Sequence, residues 1–129
     1  MIVVDTHAAI WLTQEPTQLS AEATRVMTEA RDSGGLAIAD ITLREVAWLV
    51  STGRMSIRPR LGAYLDFVES LFRVIPISGR IAERSMQFTA AYPRDPADRL
   101  IGATAVVHGV RLVTKDGPIR RSGEVDCIW

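Results

Sequence analysis

Four short apolar runs constrain this chain more than any other feature. "IVV" (2–4), "LAIA" (36–39), "RVIPI" (73–77) and "RLVT" (111–114) lack the polar alternation of a half-exposed strand. The first two read as buried strands, the pattern of a parallel sheet sandwiched between helices, and the last two as further strands. The intervening segments carry the helical period instead. In "SAEATRVMTEARDSGG", Ser20 is placed to cap a helix, Ala23, Val26, Met27 and Ala30 form one apolar stripe, and glycines stop it. "TLREVAWLVSTG" offers Thr42 as N-cap, Glu45 three positions on, a buried face of Val46, Leu49 and Val50, and Gly53 as terminator. Further helices are expected over "LGAYLDFVESLF", "GRIAERSMQFTAA" and Asp95 to His108, the last ended by Gly109, and "VDCI" reads as a final edge strand. Strands alternating with helices imply βαβ units, hence an α/β fold with one mostly parallel sheet flanked by helices.

The 129 residues suit one domain, 1–129, with a core that needs neither disulfide nor structural metal. The single cysteine, Cys127, excludes a disulfide within the chain and lies in an apolar run, where it reads as a small buried side chain. "MIVVDTHAAIW" has no basic leader and is broken by Asp5. No apolar run approaches the ~20 residues of a membrane span, so a cytoplasmic soluble protein is expected. Lys and Arg total 15 and Asp and Glu total 15, for a net charge of zero, so nucleic-acid binding would have to be local. Arginines do cluster, at Arg54, Arg58 and Arg60 and at Arg120 and Arg121, but such runs are more often solvated faces than phosphate tracks.

The acids fall at telling places. Asp5 follows the first strand, Glu45 opens the helix after the second, Asp98 lies in the first turn of its helix and Asp116 follows "RLVT". In a parallel α/β sheet these positions share the carboxyl edge, where ligands bind. Converging carboxylates repel one another and raise each other's pKa unless a cation neutralises them. Local explanations compete with this. Glu45 completes a capping box with Thr42, Asp116 precedes Gly117 as a turn residue, and Asp95 is the N-cap of the helix that Pro96 opens. Turn chemistry poorly explains Asp5, a charge directly after a buried strand. One metal site would account for all of them together. Oxygen donors suit Mg²⁺ or Mn²⁺, whereas zinc would call on His7, His108 or Cys127. His108 reads better as a partner of the helix dipole, and His7 as a packing residue at a helix start. Hard cations on acids activate water and stabilise both the attacking and the leaving oxygens at phosphorus, which points to phosphodiester hydrolysis.

"VVDTHAAIW", "TLREVAWL", "RDPADRLIGATAVVHG", "LVTKD" and the terminal "IW" together resemble, in order and spacing, the PIN-domain ribonucleases, especially the VapC-type toxins of bacterial VapBC toxin-antitoxin pairs. The resemblance runs end to end. It implies a PIN-like fold, Asp5, Glu45, Asp98 and Asp116 as catalytic metal ligands for Mg²⁺ or Mn²⁺, and Asp95 as an additional acid. It also implies Thr6 and Thr114 as supporting or phosphate contacts, an RNA substrate, a cognate small antitoxin and a homodimer. Arg99 is either a phosphate contact or an ion-pair partner of a nearby acid. Trp11, Trp48 and "LGAYLDFVESLF" carry surplus large apolar groups, which mark either an interface or core filling. A flap-type nuclease and a non-catalytic RNA-binding PIN-like module share the same frame. A phospho-acceptor receiver module would need an acid after the third strand, where Ser78 and Gly79 stand.

Overall fold

In the computed structural model, which describes all 129 residues, the strands are β1 (Ile2–Val4), β2 (Leu36–Ala39), β3 (Arg73–Ile75), β4 (Leu112–Val113) and β5 (Cys127–Ile128). They form one sheet in the order β3-β2-β1-β4-β5, and every pairing is parallel. The expected runs are trimmed. "RVIPI" stops at Ile75, before Pro76, which has no N–H to donate to a ladder, and "RLVT" and "VDCI" each keep two strand residues. Side chains alternate between the two faces. Ile2, Val4, Leu36, Ile38 and Val113 enter one apolar core, while Val3, Ala37, Ala39 and Leu112 enter the other, as the period of two requires.

The helices are α1 (Thr6–Gln14), α2 (Ala21–Asp32), α3 (Ile41–Ser51), α4 (Leu61–Leu71), α5 (Gly79–Ser85), α6 (Pro96–His108) and α7 (Gly117–Ser122). Helix α2 matches its stripe: the Ser20 hydroxyl accepts from Ala23 N–H at 3.0 Å, and Ala23, Val26, Met27 and Ala30 are buried. Helices α1 and α7 carry no separate periodic signal in the sequence, because the first is apolar through most of its length and the second is only six residues long.

Two helix readings are corrected. Helix α3 starts at Ile41, with Asp40 at the N-cap position, and Thr42 is a buried residue inside its first turn. The Thr42–Glu45 capping box therefore does not form. Asp40 instead accepts from Ile77 N–H at 3.0 Å, tying the start of α3 to the segment after β3. Helix α5 ends at Ser85 rather than continuing through "MQFTAA". Beyond it, the Arg99 guanidinium takes up the carbonyls of Phe88, Thr89, Tyr92 and Pro93, and Phe88 stacks on Tyr92 at 3.9 Å. Tyr92 packs against Gly102 of α6, where a Cβ would collide with the tyrosine hydroxyl.

The chain builds outward from β1 to β2 and β3, then crosses back to place β4 on the other side of β1. The β1–β4 boundary is thus a topological switch point, and the crevice beyond its carboxyl ends is where open α/β sheets bind ligands.

Candidate active site

Asp5 leaves the carboxyl end of β1, and its backbone N–H donates to Val113 O at 3.0 Å, which holds it beside β4. Its Oδ1 accepts from Ala8 N–H at 2.8 Å, so Asp5 is the N-cap of α1. The charge after the strand therefore has a local role that turn chemistry does not supply. Burial raises its pKa above the ordinary carboxylate value, Asp116 adds to this, and bonds from Thr114 and Ala8 together with His7 oppose it.

Asp116 is built the same way at the end of β4. Its Oδ1 accepts from Ile119 N–H at 2.9 Å, capping α7, and its own N–H donates to Thr114 Oγ1 at 3.1 Å. It is a helix cap, not merely a turn residue. Thr114, wholly buried, stands behind both aspartates.

Helix α6 brings the third element. Asp95 Oδ1 accepts from Asp98 N–H at 3.1 Å, confirming Asp95 as N-cap, with Pro96 in the first turn and Gly109 (φ +63°) closing the far end. Asp98 is pushed up to about 7, chiefly by burial and then by the negative charges of Asp95, Glu45, Asp116 and Asp5. That one carboxylate feels all four others.

Glu45 comes from α3. In place of a capping bond, its Oε1 accepts from the Thr6 hydroxyl at 2.6 Å, with Thr42 Oγ1 3.4 Å from the same hydroxyl. Thr6 is nearly fully buried, so it holds Glu45 from below.

One cleft of about 470 Å³ is lined by Asp5, Glu45, Asp95, Asp98 and Asp116. The acids ring the cleft without closing on a point, since no group of three acidic, histidine or cysteine side chains is tight enough to hold an ion unaided. Asp5 and Asp116 each commit one oxygen to a helix N–H. Three helix N-termini, those of α1, α6 and α7, begin at acids of this cleft, and their dipoles offset part of the mutual repulsion.

Arg99 does not line the cleft and forms no ion pair with an acid; its guanidinium donates to Pro93 O at 2.9 Å and more weakly to Phe88, Thr89 and Tyr92 carbonyls. His108 Nδ1 lies 2.9 Å from Thr104 O within its own helix. His7 lines the cleft and leans on Trp11, with ring centroids 5.7 Å apart. Arg120 and Arg121 line a separate depression beside α7. Sequence reasoning did not place Arg54 and Lys115 at the cleft, although "TKD" sets Lys115 beside the last acid.

With this geometry in view, relatives can be compared. The profile of the PIN domain matches residues 2–124. The chain is 36% identical over 119 residues to Ribonuclease VapC22 of Mycobacterium tuberculosis (strain ATCC 25618 / H37Rv), covering 92% of this chain and 89% of that one. Among solved structures, a toxin-antitoxin complex from Klebsiella pneumoniae is similar at 28% identity and TM-score 0.61, covering 90% of this chain and 87% of its own. VapBC2 from Rickettsia felis, bound to a DNA fragment from its promoter, shares the fold at TM-score 0.73 with 17% identity, over 99% of this chain and 98% of its own. A five-stranded parallel sheet between helices, acids at its switch point and a matching profile over nearly the whole length lead to one conclusion: the chain belongs to the PIN domain family.

Proposed function

We propose that this protein is a metal-dependent endoribonuclease, the toxin of a type II toxin-antitoxin pair, acting on RNA in the cytoplasm. The observation that carries the reading is the meeting of Asp5, Glu45, Asp98 and Asp116, from four separate elements, in one cleft at the switch point. Similarity to a relative named as a ribonuclease supports the chemistry. Solved toxin-antitoxin complexes among the structural relatives support a small protein antitoxin as partner, and we include a homodimer in the same reading.

The donor set is all oxygen, which fits Mg²⁺ or Mn²⁺, and its open arrangement suits an ion that keeps water and takes phosphate oxygens as further ligands. Asp5, Glu45, Asp98 and Asp116 would hold it, with Asp95 adding negative potential. When bound, such an ion supplies an activated water and stabilises charge on the oxygens around phosphorus. The protein's own part is positional. Thr6 keeps Glu45 aimed into the cleft, Thr114 supports Asp5 and Asp116, and the caps of α1 and α7 fix one oxygen of each aspartate. Incubating the purified protein with total RNA in Mn²⁺ or Mg²⁺ should give internal cleavage that excess EDTA abolishes. Undiminished cleavage in excess EDTA would overturn the metal-dependent reading.

A further inference from the structure

The acids account for only part of the cleft. It is also lined by Trp48, Arg54, Trp11 and Lys115. Trp48 leaves 43% of its surface exposed, while its helical neighbours Val46 and Leu49 are buried in the core. Arg54 Cζ sits 4.6 Å from the Trp48 ring centroid, and Lys115 Nζ 5.5 Å from that of Trp11.

The Trp48–Arg54 pair is constructed by the end of α3. Gly53 takes φ +74°, its N–H reaches Val50 O, and Arg54 N–H donates to Leu49 O at 2.9 Å. This Schellman geometry turns the chain back and lays Arg54 over the helix it has just left. The guanidinium gains no acid there, for every ion pair of the molecule lies within α2. An exposed indole carrying a cation that has no acid partner, in the same cleft as five acids, is built for a ligand that is both aromatic and anionic. Trp48 follows Glu45 by three positions, so the two share one face of α3 about 4.5 Å apart along its axis.

We propose, resting on the ribonuclease reading above, that Trp48 is a base-stacking platform and Arg54 its phosphate contact, so that one unstacked base of the RNA is held on Trp48 beside the phosphate to be cut. Nucleobases stack on exposed aromatic rings when they are unstacked from their own helix, and duplex RNA keeps them out of reach. Arginine pairs with phosphate through its planar fork while staying against an aromatic face. Trp48 is a positioning residue here, not a catalytic one.

The test compares wild type, Trp48→Ala, Trp48→Phe and Arg54→Ala on a fluorescein-labelled single-stranded oligoribonucleotide and on the same strand annealed to its complement, with Mn²⁺. Binding of the labelled strand is read separately by anisotropy in an Asp116→Asn background, where Asn keeps the α7 cap. Trp48→Ala should raise KM and the dissociation constant roughly tenfold or more, the scale of one lost stacking contact, while kcat falls much less. Trp48→Phe should recover most of the loss, Arg54→Ala should weaken binding and lower its salt dependence by about one phosphate, and the duplex should be cut poorly. Equal cutting of single strand and duplex, or an unchanged KM in Trp48→Ala, overturns the proposal. So does a Trp48→Ala loss that accompanies a fall in molar mass by light scattering, which would assign the indole to a second copy of the chain. Failure of wild type to cut any RNA while binding still depends on Trp48 overturns the ribonuclease reading alone.

Discussion

At the scale of single residues, Glu45 carries the sharpest prediction. It caps nothing, and its carboxylate is held by the Thr6 hydroxyl at 2.6 Å. Gln at this position keeps an oxygen for that hydroxyl but loses the charge a hard cation needs. Glu45→Gln should therefore unfold within a few degrees of wild type yet lose roughly a hundredfold of its cleavage rate, the scale of one catalytic participant. Cleavage at the wild-type rate under limiting Mg²⁺ would remove Glu45 from the site. Thr6→Val, nearly isosteric, should lower cleavage roughly tenfold by freeing Glu45, since partners that orient a ligand commonly contribute on that scale. Asp98 supplies the pH dependence. Its pKa rises from 3.8 to about 7 on folding, through burial first and the neighbouring acids second. The folded state thus holds this proton more tightly than the unfolded chain, so stability is lost as pH rises through the window between those two values and levels off above it. Thermal unfolding of the metal-free protein in EDTA should show the melting temperature falling across that window. Asp98→Asn should flatten the fall, and an equal fall in the variant would assign the effect to other groups.

At the scale of elements, the turn from α5 to α6 depends on Arg99, whose guanidinium gathers four carbonyls of the intervening segment. Its removal leaves part-buried acceptors to water, so Arg99→Ala should destabilise the fold by about 1 kcal/mol. If Arg99 contacted phosphate, the variant would also flatten the salt dependence of RNA binding by about one unit. The clamp instead predicts a lower melting temperature with the slope unchanged, measurable by calorimetry and by anisotropy against salt. The caps of α1 and α7 show a second economy: Asp5 and Asp116 each start a helix and face the cleft with the same side chain. Asp116→Asn should keep the cap and lose cleavage, whereas Asp116→Ala should lose cleavage and about 1 kcal/mol of stability besides. Equal melting temperatures for the two variants would show that the cap contributes nothing.

At the scale of the whole molecule, the order β3-β2-β1-β4-β5 turns scattered acids into one site. Phe67, Ile77 and Met86 remain exposed on its surface, at 49%, 44% and 82%, alongside Trp48. Phe67 projects from α4 while Tyr64 and Val68 of the same helix enter the core. Light scattering of the purified chain, alone and co-expressed with a small protein encoded beside it, should show a homodimer and then a larger complex, and a monomer that binds no such protein would count against both partners. The unbroken apolar runs "IVV" and "LAIA" by themselves marked buried strands of a parallel sheet, because a strand buried on both faces cannot alternate, and Ser20, Asp95 and Gly109 marked helix ends, because capping is local chemistry. Asp5, Glu45 and Asp116 were legible as a set because each follows a strand directly or lies in the helix after one, while Asp98 lies in the first turn of α6, the helix that leads into β4. Sequence could not show that Thr6, 39 positions away, takes Glu45 from its supposed cap, or that Arg99 draws in carbonyls up to 11 positions away. Those bonds join groups far apart in the chain, and only the packing of α1 against α3 and of α5 against α6 brings donor and acceptor within reach; tertiary contact then outweighs the local preferences on which capping and periodicity rest.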